Sequence, residues 1–222
     1  MRNFCLINCV LFGYITLLTG CTSHLTKPEQ FSGFLDDYSQ LQEVNSSTGK
    51  PILRWIDPNF RLSEYNNIII QPITYYPAPK LTIQVDQNLL EDVLNYTNTQ
   101  LKKSMGQHLS LDGKTKPNTL LFRGSITAVN TSNESMQFYE VLPFAMLLAG
   151  GEIITGHRTQ DTNIFFEGEV IDVTTQKPVI RIVRKGMGKQ VKNSNSKISF
   201  QMLKPVIDQV AEDAKIFVQP NS

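Results

Sequence analysis

Residues 120–129, LLFRGSITAV, alternate between apolar and polar with a period of two. Leu120, Phe122, Gly124, Ile126 and Ala128 point one way, and Arg123, Ser125 and Thr127 the other. Successive side chains of a strand leave opposite faces, so the pattern specifies a strand with one packed face and one wet face. The packed face needs a cover. Amphipathic helices laid on one side of a sheet provide it, which makes α+β the class to expect.

Helices of that kind are legible. Asp86 opens a segment in which Leu90, Leu94, Leu101 and Met105 share a face with Thr97, flanked by Leu89, Val93 and Tyr96, and Gly106 is near a natural stop. A second helix runs from Ser199, a good N-cap, to about Val218, with Leu203, Val206, Ile207, Val210, Ala214 and Phe217 as its apolar stripe. Pro205 lies past its first turn, where a proline forfeits a hydrogen bond. The helix therefore kinks there, or its regular part begins near Lys204.

Residues 164–173 and 179–185 are further strands, and the short TTQKP link between them makes an antiparallel hairpin the default. Ile68–Ile70 with Ile73, Tyr75 and Tyr76 has the β-branched and aromatic content of a central strand, while Pro72 argues for an edge or a bulge. Ile52 to Ile56 adds a short strand. Phe34, Leu35, Tyr38 and Leu41 recur at helical spacing, which predicts a short helix covering an edge of the fold. The architecture expected is a mostly antiparallel sheet of about four to five strands with two long helices packed on one face.

A cleaved signal peptide precedes this domain. Arg2 gives a basic start, residues 4–19 are mostly apolar, and small residues follow. The apolar run is shorter than the roughly 20 residues a membrane span needs, and it is interrupted. Its exit, Leu18-Thr19-Gly20-Cys21, resembles the lipobox of bacterial lipoproteins. That resemblance implies cleavage before Cys21, diacylglycerol on its sulfur and an acyl chain such as palmitate on its amino group. Thr22 stands where an Asp tends to retain such proteins at the inner membrane, so the outer membrane is the expected address. Two or more chains hold a protein stably. The division expected is 1–20 signal peptide, 21–30 lipidated tether, 31–218 one α+β periplasmic domain and 219–222 tail. At about 3.3–3.6 Å per residue, the stretch from Thr22 to Pro28 keeps the domain within roughly 25 Å of the membrane surface.

Cleavage also settles the cysteine chemistry. Cys5 and Cys9 leave with the signal and Cys21 is consumed by lipid, so neither an internal disulfide nor a cysteine nucleophile or zinc site is expected. Arg2 is the only charge in the signal, so the 21 Lys+Arg fall to 20, against 20 Asp+Glu. A formally neutral domain has no electrostatic case for nucleic acid.

Few residues suggest chemistry. His157, Arg158 and Asp161 invite an acid–base or metal reading, and His157 and Asp161 would share a face if helical, but a zinc site needs three or four ligands and no His/His or His/Glu pair appears at ligand spacing. A polar loop explains them better. Glu167 and Glu169 share a strand face at a separation of about 7 Å that fits two-carboxylate hydrolysis on paper, yet alternating acids are common on wet strands. RKGMGK (184–189) has two glycines and flanking bases with no helix immediately after, so it reads as a strand end or bulge. No catalytic residue, metal or cofactor is expected. Val141 to Ala149 is nearly all apolar and too short to span a bilayer. It is either a core connection or an exposed element, with Phe144, Leu147 and Leu148 contacting a partner, a second copy or the nearby membrane.

Several phrases together resemble one bacterial lipoprotein family, that of domain of unknown function 3313: SGFLDDYSQL, KPILRWIDPNF, YYP at 75–77, LLFRGSITAV, GHRTQDT, FEGEVIDV and KPVIRIVRKG. The resemblance runs from Ser32 to Lys185, extends to the closing helix, and departs at Pro205. It implies a lipid-anchored envelope protein of Gram-negative bacteria and transfers no catalytic residue. The function expected is that of a non-enzymatic outer-membrane lipoprotein facing the periplasm, which binds or helps assemble another envelope component. The alternatives are a small-molecule or lipid-binding accessory with an apolar cleft between sheet and helices, and a hydrolase using His157 or paired acids.

Overall fold

The computed structural model describes residues 25–107, 109–111, 113–114, 117–132, 160–192 and 195–215. Among the described residues seven strands form one sheet: β1 (Gln42–Asn45), β2 (Pro51–Ile56), β3 (Asn67–Ile70), β4 (Thr74–Tyr75), β5 (Thr119–Ser132), β6 (Asp161–Asp172) and β7 (Lys177–Met187). Their order is β1-β2-β7-β6-β5-β3, with β4 also on β5. The α-helices among the described residues are α1 (Gln87–Met105) and α2 (Phe200–Ala214). The α+β class stands, but the sheet is larger than the four to five strands expected, and it is mixed.

The two corrections have different causes. β3 and β4 both run parallel to β5, and parallel neighbours need a long crossover, usually a helix. α1 lies in that crossover. The pattern strand–helix–strand was present in the sequence, but nothing local says that the second strand returns beside the first. β1, the other addition, is short and exposed, and its pairing with β2 rather than any apolar pattern of its own makes it a strand.

Pro72 lies between β3 and β4. Ile70 pairs with Phe122 and Thr74 with Ser125, so one residue more is spent on the edge than on β5, which is a bulge. The triple-isoleucine run is thus an edge strand rather than a central one. At the bulge Gln71 N–H donates to Phe122 O at 3.0 Å, and Ile73 finds its partners on α1. Asn98 of α1 accepts from Ile73 N–H at 2.7 Å through Oδ1 and donates to its carbonyl at 3.2 Å through Nδ2.

α1 matches its sequence signals: Asp86 accepts from Leu89 N–H at 3.0 Å as the N-cap, and Leu89, Leu90, Val93, Leu101 and Met105 are buried. α2 buries Leu203, Val206, Ile207, Val210 and Ala214, and continues through Pro205. Tyr96 donates to Asp208 at 2.6 Å and packs edge-on against Phe200 at 5.2 Å, joining the two helices. Their stripes meet Leu120, Phe122, Ile126, Ile164, Phe166, Val170, Ile180 and Ile182 on one face of the sheet in a single core.

Gly186 explains how closely α2 sits. It is the penultimate residue of β7, which ends within 184–189 as expected, and a Cβ there would stand 2.0 Å from Val206 Cγ1. A glycine within a strand marks close approach of another element. The expected result for Gly186→Ala is a loss of about 1–3 kcal/mol from overpacking, read as a lower urea midpoint. Because the clash is with one methyl, adding Val206→Ala should recover part of the loss, a coupling that distant sites do not show.

Candidate functional site

The opposite face of the sheet was expected to be wet. It is not. Glu167 and Glu169, pointing away from the helices, are each only 1 % exposed. Residues 31–41 lie over them as a strap, and they form turns rather than the helix their spacing suggested. Gly33 has φ +83°, outside the helical range for other residues. Phe34 N–H donates to Ser32 Oγ at 3.1 Å and Ser39 N–H to Asp37 Oδ1 at 2.9 Å. Such side-chain bonds offer the backbone an alternative to a helix ladder.

The strap is fastened by the two glutamates. Glu167 accepts from Ser32 N–H at 2.8 Å and from the Tyr38 hydroxyl at 2.6 Å. Tyr38 in turn accepts at its hydroxyl from Gly33 N–H (2.9 Å) and Leu35 N–H (3.1 Å). Burial, and then the Glu167 carboxylate beside it, push the Tyr38 phenol up to about 12, so it stays a donor throughout the physiological range. Phe31 stacks on Tyr38 with ring centres 4.4 Å apart.

Glu169 lies between two arginines. Arg123 Nε donates to its Oε1, and Arg181 Nε stands 3.6 Å from its Oε2. Each arginine then reaches the strap: Arg123 approaches Asp36 at 3.7 Å, and Arg181 donates to Asp37 at 3.1 Å. Hydrogen bonds from Ser39, assisted by Arg181, hold the Asp37 carboxyl below the usual carboxylate range. Arg123 also covers the Phe34 ring at 5.6 Å, and Arg181 the Trp55 ring at 5.5 Å. The result is an alternating-charge clamp spanning β5, β6, β7 and the strap.

Paired acids suited to hydrolysis need one carboxyl free to act on substrate and a route for water. Glu167 has both oxygens committed to the strap, and Glu169 is held between guanidinium groups. Their geometry is that of a fastening. Asp161 donates nothing to a common centre with them: it accepts from Gln190 at 2.8 Å at the far end of β6. Cys21, His157, Arg158 and the apolar stretch with Phe144, Leu147 and Leu148 lie outside the described residues. Among the described residues no group of three or more His, Cys, Asp or Glu is placed to hold a metal.

A second charged centre lies within the helix–sheet core. Arg184 of β7 and Asp213 of α2 are 2 % and 4 % exposed and form an ion pair. Asp213 also accepts from Ser47 Oγ (2.6 Å), Thr48 N–H (2.9 Å) and Thr48 Oγ1 (3.2 Å) in the β1–β2 turn. Burial lowers Arg184 to about 10, which leaves it charged at neutral pH. A cavity of about 10 Å³ lies beside the pair, lined by Leu101, Met105, Phe122, Phe166, Ile182 and Val210 among others. That is room for roughly one water and too little for a lipid tail. The signal for both centres was in the sequence as charged residues inside strands and on an apolar helix face, but only their partners reveal what they do.

Residues 30–214 match the family described as "Protein of unknown function (DUF3313)". The chain is 51% identical over 200 residues to "Uncharacterized lipoprotein YdcL" of Escherichia coli K12, with 90% of each chain covered, and equally to the protein of that name in Escherichia coli O157:H7. Among solved structures it is similar to the PelC dodecamer from Paraburkholderia phytofirmans, at 10% identity and a TM-score of 0.39 over 73% of this chain and 95% of that one. It is similar also to the hypothetical protein CT253 from Chlamydia trachomatis, at 9% identity and a TM-score of 0.41 over 69% and 98%.

Proposed function

This chain belongs to the DUF3313 family, and from that membership we propose that it is a lipoprotein held in the outer membrane by acyl chains on Cys21. Its α+β domain faces the periplasm and acts as a non-enzymatic binding or assembly partner of another envelope component. The observation that carries this reading is Leu18-Thr19-Gly20-Cys21 standing directly ahead of the domain. The relative named a lipoprotein supports it. No helix among the described residues is long and apolar enough to cross a membrane, and an acyl anchor requires none.

The strap adds a structural reason. Thr26, a few residues after Cys21, is buried. The clamp of Glu167 and Glu169 then passes any pull on the anchor directly into the sheet. Non-enzymatic action is favoured because, of the two glutamates that a hydrolase reading calls on, Glu167 is bound to the strap and Glu169 is held between Arg123 and Arg181. Phe144, Leu147 and Leu148 form the proposed contact with the partner.

Replacement of Cys21 by Ala is expected to move the protein from the outer-membrane fraction to the soluble periplasm, or to leave an uncleaved precursor. Mass spectrometry of the amino-terminal peptide should show acyl chains in the unmodified sequence only. Unchanged outer-membrane fractionation of the variant would sink the anchor assignment.

A further inference from the structure

Five large hydrophobic residues are exposed among the described residues, and three of them, Tyr76, Leu81 and Ile83, fall within one loop. Leu81 is 58 % and Ile83 74 % exposed, which is unusual for side chains of that type grouped so closely. The loop is not a loose end. Tyr76 N–H donates to Ile126 O at 3.1 Å on one side, and Ile198 N–H donates to Gln84 O at 2.9 Å on the other. Between them Thr82 N–H bonds Val85 O at 2.9 Å, and Val85 N–H bonds Thr82 Oγ1 at 3.0 Å. Leu81 and Ile83 are thus presented on a fastened turn.

Two further observations say what they face. The loop adjoins the strap: Phe34 meets the Tyr76 ring edge-on at 5.8 Å, and Phe34 is thirteen residues from Cys21. Even fully extended, that length spans at most roughly 45 Å, so the loop stays within reach of whatever surface holds the acyl chains. Its charge also fits. From Gln71 to Val85 the chain contains no Asp or Glu, and Lys80 is its only charged residue. An apolar tip with a tyrosine and a lysine suits the interface of an anionic leaflet, where aromatic rings settle at headgroup depth and bases are attracted.

We infer that the Tyr76–Ile83 loop is a second membrane contact, which inserts Leu81 and Ile83 into the bilayer that anchors the protein. The inference rests on the reading of Cys21 as the lipid anchor. Acylation holds the loop at a high local concentration near the bilayer, so a small apolar tip suffices where a free protein would need a larger one. The domain is then oriented, with the strap side toward the lipid and not tumbling at the end of its tether.

The test uses the full-length acylated protein. Cys5 and Cys9 leave with the signal and Cys21 is blocked by its thioether, so Ile83→Cys and, as a control, Leu111→Cys can each be labelled with an environment-sensitive fluorophore. Both positions are exposed, so the core is untouched, and circular dichroism checks the fold. The proteins are reconstituted into vesicles of phosphatidylethanolamine and phosphatidylglycerol carrying nitroxide on the acyl chains. A side chain lying about 5–10 Å into the headgroup boundary should lose roughly half or more of its emission at position 83, with little change at 111. Absent quenching at 83, or equal quenching at both sites, in protein that floats with the vesicles overturns the proposal. Self-quenching between labelled copies with none from nitroxide lipid also overturns it, and assigns the loop to a second copy. Absence of acyl mass on the amino-terminal peptide overturns the Cys21 reading and this inference together, a failure distinct from the other three.

Discussion

Asp213→Ala is expected to cost about 3–5 kcal/mol, because it leaves the Arg184 guanidinium buried with no counter-charge. The residue is 4 % exposed and collects donors from β7 and from the β1–β2 turn as well as sitting on α2. For a domain of this size that loss lowers the melting temperature by roughly 6–20 °C. The mechanism can be separated from lost hydrogen bonding. Asp213→Asn keeps an acceptor for Ser47 and Thr48 but no charge, so it should fall close to the alanine variant if the uncompensated arginine dominates. Replacing both partners, Arg184→Met with Asp213→Leu, should recover most of the stability, since hydrophobic residues of similar volume commonly match or exceed a buried ion pair. Urea unfolding with an unchanged m-value is the measurement. A double variant as weak as Asp213→Ala would show that the pair itself, and not the stranded charge, holds the core.

Glu169→Ala should be the second most damaging of these substitutions, at roughly 2–4 kcal/mol. The carboxylate is 1 % exposed, which places the cost toward that of breaking a buried pair. Two features moderate it: Arg123 is 34 % exposed and can turn to water, and Arg181 retains Asp37 at 3.1 Å. The effect should also be local in a way that the Asp213 effect is not. Removing Glu169 frees both arginines that reach Asp36 and Asp37, so amide exchange in residues 31–41 should accelerate more than exchange in α1 or α2. Uniform acceleration across the whole domain would show that the strap is not a separate unit fastened by this carboxylate.

These two carboxylates show where reading the sequence stops. Glu167 and Glu169 were legible as alternate residues on one strand face, and alternation made that face wet. The strap reverses the conclusion, because the bonds that bury Glu167 come from Ser32 and Tyr38, more than a hundred residues away in the chain. The same bonds turn Phe34, Leu35, Tyr38 and Leu41, which have helical spacing, into a set of turns. Asp213 reads as one more polar residue near a helix end until Arg184 and the β1–β2 turn are brought to it. Gly186 reads only as part of a strand end, and its second role appears once Val206 is laid across it.

What the sequence determined by itself is local. The Asp86 cap and the leucine stripe behind it defined α1, the alternation after Leu120 defined β5, and the short link at 174–178 defined the β6–β7 hairpin. The residues before Cys21 carried the strongest expectation about address. Each depends on neighbours a few positions away, where backbone geometry alone sets which groups meet. The tertiary structure decided the parallel return of β3 and β4 beside β5, the covering of the second sheet face and the pairing of the buried charges. Those depend on which distant segments share a surface, and burial and charge compensation are properties of that shared surface rather than of any stretch of chain.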